Sequence, residues 1–144
     1  MASTGPVGND PGRPLHPGHA VLLAGAVPLF LGALLSDWAY ASTYEVQWIN
    51  FASWLILAAL ILSGLALAWS LGDLLRADRR GRRTLLLFLL LLATWVLGLV
   101  NALVHSKDIW ATMPEGLALS AVIACLAIAA AWAGFSAGSW ADAR

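Results

Sequence analysis

Apolar residues fall into four long runs, at 20–36, 49–72, 84–104 and 116–137, parted by short polar breaks. About 20 apolar residues in helical form cross the hydrocarbon core of a bilayer. The pattern therefore predicts four membrane-spanning helices, at about 20–37, 49–72, 84–106 and 115–137. The first run is the shortest, and Pro28 inside it should kink or weaken the helix unless neighbours satisfy the freed carbonyl. Gly25, Pro28 and Gly32 share one face, which permits close backbone approach. Gly64, Ala68 and Gly72 recur every four residues, as do Ala130, Gly134 and Gly138, a spacing that favours tight helix packing in lipid. The break at 37–47 predicts a short loop carrying Trp38, Tyr40 and Tyr44, with Trp48 just beyond, as interfacial aromatics. Pro114 stands at a plausible first helical position, with Glu115 in the first turn of the fourth helix.

One polar pattern enters an apolar run. Thr94, Gly98, Asn101, His105 and Asp108 are spaced four, three, four and three, which places them on one stripe of the third helix. Polar side chains in a spanning segment are expensive and turn inward, so the stripe should face protein.

Composition agrees with the pattern. The 144 residues are 60% hydrophobic and 11% charged, whereas a soluble domain carries roughly a quarter charged residues. Such a chain cannot cover its surface with polar groups, and lipid must do so. The formal net charge is zero, which gives no bulk electrostatic case for nucleic acid or acidic partners. The lone Cys125 has no partner for an internal disulfide and reads as a small buried hydrophobe. Residues 1–18 are rich in Gly and Pro and read as a flexible tail. Arg13, the first apolar run and Ala39-Tyr40-Ala41 also outline a signal peptide, but the tail is long, weakly charged and Pro-rich for that role.

Charge sets the topology. Arg76, Arg79, Arg80, Arg82 and Arg83 cluster between the second and third runs, and Arg13 and Arg144 fall on the same side of a four-span chain. Lys107 alone falls on the other. The positive-inside tendency then places both termini in the cytoplasm of a bacterial inner membrane. The arginine loop can also meet anionic lipid head groups. His16, His19 and Asp73 form a cytoplasmic polar cluster, while Asp37, Glu45, His105, Lys107, Asp108 and Glu115 lie at the outer face. Roughly 30 Å of hydrocarbon separates the two clusters.

That separation limits the chemistry. Two histidines on one haem iron must approach within about 4 to 5 Å at the same depth, given nitrogen–metal bonds of about 2 Å. His105 cannot share a haem with His16 or His19 of its own chain, although a haem between two copies of His105 stays open. A divalent metal is a second option, with His105 and Asp108 one turn apart and Asp37 or Glu115 converging. The favoured reading is structural. His105 donates to Asp37 or Asp108, Asn101 bonds to another helix, and Asn101, His105, Asp108 and Asp37 form a polar latch. There is no catalytic triad, phosphate loop or CxxC pair, and Ser106 next to His105 points away from it on a helix.

Several stretches together resemble the bacterial domain-of-unknown-function 2231 family. They are Leu15-His16-Pro17-Gly18-His19, Asp37, Gly72-Asp73, Asn101-Ala102-Leu103-Val104-His105-Ser106-Lys107-Asp108-Ile109-Trp110 and Gly116-Leu117-Ala118-Leu119-Ser120. The likeness covers about 15–138, and the Asn-x-x-x-His-Ser-Lys-Asp-x-Trp stretch is its most specific part. It implies small four-helix bacterial membrane proteins and adds no reaction. The chain departs after Gly134, where the resemblance leads one to look for a Gly-Gly-Glu-like end with a further histidine.

The expectation is an all-α integral membrane four-helix bundle, up-down-up-down, with both termini cytoplasmic. A tail spans 1–18, the transmembrane domain 19–138 and a short tail 139–144. The leading function is a non-enzymatic module in contact with the bilayer, assembling with itself or with a membrane or periplasmic partner. No nucleic acid and no cofactor are expected. One alternative is a membrane anchor or electron-transfer subunit for a periplasmic oxidoreductase, using haem b or quinone with His105 the best cofactor candidate. Another is a small transporter or ion path lined by Thr94, Asn101 and His105.

Overall fold

The protein is described from a computed structural model, in which residues 15–76, 81–107 and 111–136 are the described ones. Four helices account for nearly all of them: α1 (Pro17–Thr43), α2 (Val46–Leu75), α3 (Arg82–His105) and α4 (Glu115–Phe135). No strand occurs among the described residues. Pro28 lies within a continuous α1.

Asp37 is the main departure from the sequence pattern. A charge at that position predicts the end of the first helix, yet α1 continues to Thr43, leaving Tyr44 and Glu45 as the connection to α2. Tyr44 takes the left-handed conformation (φ 55°) that closes a helix, and its N–H donates to the Tyr40 carbonyl. Ser42 and Thr43 donate their hydroxyls to the carbonyls of Trp38 and Ala39, meeting acceptors at the helix end. At the other end Pro17 occupies the first turn, where a missing N–H costs nothing, and His16 caps the helix by accepting from the Gly18 N–H through Nδ1. Pro114 immediately precedes α4, whose first residue is Glu115.

Neighbouring helices are antiparallel. Gly18, Gly25 and Gly32 of α1 face Trp69, Leu62 and Leu55 of α2, in descending order. Gly64 and Leu60 of α2 face Trp95 and Gly98 of α3. Leu23 near the start of α1 meets Gly134 near the end of α4. α1 packs on α2 and α4, and α3 packs on α2 and α4, so the helices form a closed square. Gly25 and Gly32 do admit a close neighbour, as their spacing predicts. The second small-residue stripe does not form one interface, because Gly64 lies against Trp95 while a Cβ on Gly72 would meet nothing within 4 Å. Gly138 lies outside the described residues.

The interior is built in apolar layers. Leu23, Ala66, Leu87, Leu91 and Ala130 form one. Ala26, Phe30, Ala59, Ile123 and Ala127 form the next, and Ala33, Ile56 and Leu60 a third. Only 28–33% of each span is buried in the bundle. The remaining apolar surface, with Val21, Leu57, Leu65 and Trp132 among its exposed members, needs a lipid environment.

Arg83 ties α3 to α4. Its guanidinium donates to the Ala133 carbonyl through Nε (3.1 Å) and Nη2 (2.9 Å), and to the Gly134 carbonyl through Nη2 (2.8 Å). These are acceptors that the last turn of α4 leaves unpaired, at the negative end of its dipole. Replacing Arg83 by Met should lower stability in detergent by about 1–2 kcal/mol, the scale of charge-assisted hydrogen bonds at a half-buried position. Arg83→Lys should recover only part, since an ammonium lacks the planar fork. Thermal unfolding of the three proteins checks the order.

Candidate functional site: a closed polar ring on three helices

Three helices bring polar side chains together at the end of the bundle that holds the α1–α2 connection. α1 supplies Asp37, which is fully buried. The last turns of α3 supply Asn101 and His105, four residues apart on one face. The second turn of α4 supplies Ser120. The α4 backbone lies close to the imidazole: a Cβ on Gly116 would sit 3.0 Å from His105 Cε1. Glycine is therefore what lets the start of α4 press against the ring.

The hydrogen bonds close on themselves. Asn101 Nδ2 donates to Ser120 Oγ at 2.8 Å. Ser120 Oγ in turn donates to Asp37 Oδ2 in a short contact. His105 Nε2 lies 2.8 Å from Asp37 Oδ1, and Nδ1 lies 2.9 Å from the backbone carbonyl of Asn101. The circuit thus runs Asn101, Ser120, Asp37, His105 and back to Asn101.

The proton positions follow from the acceptors. A carbonyl only accepts, so Nδ1 of His105 carries a proton. One further proton lies on the line between Nε2 and Asp37 Oδ1. If it is on nitrogen, an imidazolium donates to a carboxylate. If it is on oxygen, a neutral acid donates to a neutral ring. Either way the pair is uncharged as a unit, which is the condition for keeping it out of water. The side chains of His105 and Asp37 are 1% and 0% exposed.

One ring atom stays unmatched. Asn101 Oδ1 is buried and accepts nothing. An unmet buried acceptor costs about 1–3 kcal/mol, a cost the rest of the ring must offset.

The structure thus brings together Asn101, His105 and Asp37 of the expected latch. Asp108 and Trp110 lie outside the described residues. Glu45, Lys107 and Glu115 are exposed. Thr94 is buried on the same stripe but donates to the Leu90 carbonyl of its own helix at 2.7 Å, outside the ring. Ser120 was not singled out by sequence reasoning. Its signal was its position, a hydroxyl among apolar residues one turn inside the fourth run. No group of three or more His, Cys, Asp or Glu side chains is placed to hold a metal among the described residues.

The other end differs. His16 is exposed and caps α1, and its ring lies 4.8 Å from that of Trp69. His19 is 1% exposed and stacks at 6.0 Å on the same indole, but neither of its ring nitrogens has a hydrogen-bond partner. The Ser70 hydroxyl is buried and unpartnered as well. Asp73 sits half-buried one turn further along α2.

Removing one member of a buried pair strands the other, at about 3–5 kcal/mol, while an ordinary interhelical hydrogen bond in a membrane protein averages about 0.6 kcal/mol. Asp37→Ala and His105→Ala should therefore each destabilise strongly, and the double variant by less than their sum. A double-mutant cycle on unfolding in detergent should give a coupling of about 2 kcal/mol. Additive effects would mean that the two side chains do not act as a pair.

Comparison with curated proteins finds no match, and comparison with solved structures finds none either. The family of predicted membrane proteins called DUF2231 matches residues 13–141. That span takes in all four helices and both polar ends, and the chain belongs to this family.

Proposed function

We propose that the protein is a non-enzymatic module of the bacterial inner membrane that assembles with itself or with another membrane protein, both termini facing the cytoplasm. The observation that carries this reading is the closed ring. Both nitrogens of His105 and both oxygens of Asp37 are engaged by other residues of the chain. In that state His105 has no lone pair for a haem iron or a metal ion. A ligand there would have to break the bond to Asp37 and leave its buried carboxyl without that partner. The ring serves as a latch that fixes α1, α3 and α4 to one another.

The connections support the same conclusion. Tyr44 and Glu45 alone join α1 to α2, and 106–114 join α3 to α4. Neither leaves room for a soluble active site. An ion path along Thr94 and Asn101 is opposed by the apolar layers around Phe30, Ile123 and Leu91, which close the interior between the two polar ends. Membrane contact through apolar helices leaves the bundle's outer faces as the surface on which partners meet.

The test is the state of the native protein. Native mass spectrometry of membrane-extracted nanodiscs should show a homo-oligomer or a stoichiometric membrane partner, and the purified protein should be colourless and metal-poor. A lone monomer carrying a Soret band or one equivalent of metal, with the band lost in His105→Ala, would sink the reading in favour of a redox subunit.

A further inference from the structure

We propose that the His19 end of the bundle is a binding site for an uncharged, lipid-soluble ring bearing carbonyl or hydroxyl oxygens, a molecule of the quinone–quinol class. The inference rests on different residues from the latch and stands apart from the assembly reading.

The starting point is a pair of unmet needs. His19 has two ring nitrogens without partners and Ser70 a hydroxyl without one, although both side chains are buried. They lie on facing helices at the same level of the bundle, since Gly18 of α1 meets Trp69 of α2. Both belong to the inward stripes of their helices, His19 with Leu23 and Ala26, Ser70 with Ser63 and Ala66. Buried polar side chains in native proteins nearly always find partners. The contrast with the other end, where only Asn101 Oδ1 is left over, marks these groups as reserved for something outside the chain.

The chemistry of the occupant follows from its surroundings. A neutral imidazole and a hydroxyl each donate and accept, so they suit an oxygen that is a carbonyl in one form and a hydroxyl in another. No side chain hydrogen-bonds His19, and the ionisable groups that act on it electrostatically, Asp73 and His16, do so without bonding it. Asp73 opposes an anion, and the unpartnered ring nitrogens and hydroxyl suit a neutral ligand that both donates and accepts. Leu23, Ala66 and Leu87 make the adjoining layer apolar, and Leu15 packs against it. On the α4 side the packing is closed, because a Cβ on Gly134 would fall 2.8 Å from Leu23 and 3.0 Å from Leu15. On the α1–α2 side Trp69, 36% exposed, lies beside both histidines as a flat wall and abuts Gly18, where a Cβ would fall 3.2 Å from the indole, so the indole is the side chain that must swing aside to admit a ligand. Haem fits less well, since a ligating imidazole ordinarily donates its second nitrogen to a fixed acceptor, and His19 has none.

The probe is a benzoquinone with a decyl tail, and its quinol, added to the full-length protein in lipid nanodiscs. Wild type should show saturable quenching of tryptophan fluorescence, reduced in Trp69→Phe and retained in Trp54→Phe. Ser70→Ala and His19→Leu should weaken binding by about tenfold or more, the loss expected when a site built for hydrogen bonding loses a partner. Nitrogen-15 spectra of labelled histidine should shift at His19 with quinone and shift differently with quinol, as the ring changes from donor to acceptor. Ser70→Ala removes a single hydroxyl, so the test survives if His19→Leu fails to fold. Non-saturable quenching, equal binding by wild type and Ser70→Ala, or an unmoved His19 resonance would each overturn the proposal and leave ordered water as the occupant.

Discussion

A carboxylate inside an apolar bundle is the constraint on which one whole end of this protein depends. Asp37 is fully buried less than two turns before the end of α1, with helix continuing beyond it to Thr43. Desolvating a lone carboxylate is prohibitive, so the charge must be cancelled within the bundle. His105 does this, and in doing so fixes the end of α3. Ser120, itself bonded by Asn101, then satisfies the second oxygen and brings in α4. Gly116 follows from the same demand, because a larger residue would crowd the imidazole away from its partner.

The same demand explains which parts of the fold were legible in the sequence. Spanning helices are set by bilayer thickness and apolar run length, so four of them could be read directly, and the spacing of Asn101 and His105 marked an inward stripe. The extent of α1 could not be read that way. A charge normally ends an apolar run, and Asp37 breaks the rule only because residues 68 and 83 positions further along neutralise and bind it. Ser120 was hidden for a related reason. Serine and threonine in membrane helices often bond back to their own backbone, as Ser36, Ser63 and Thr94 do here. Nothing local separates such a residue from one that bonds across helices. Arg83 is a third instance: within an arginine cluster it read as a topology signal, whereas its guanidinium closes the end of α4.

The two ends of the bundle are asymmetric in a way that bears on what the molecule can do. At the Asp37 end the polar groups bond one another with only Asn101 Oδ1 left over, and a change in any one is felt by the other three. At the His19 end a buried imidazole and a hydroxyl remain without partners. Between them the layers around Leu91, Phe30 and Ile123 hold no linked polar groups, and the hydroxyls of Ser63 and Thr94 point back to their own helices. The stretch between the two ends is thus built of apolar layers.

Rigidity at one end and unmet hydrogen bonding at the other are connected through the helices themselves. α1 carries both Asp37 and His19, so the ring fixes the helix that presents the unpartnered imidazole. α2, which carries Ser70 and Trp69, contributes nothing to the ring and packs on α1 through apolar and glycine contacts. The ring thus joins three of the four helices through one set of hydrogen bonds, and α2 completes the bundle by packing against α1 and α3.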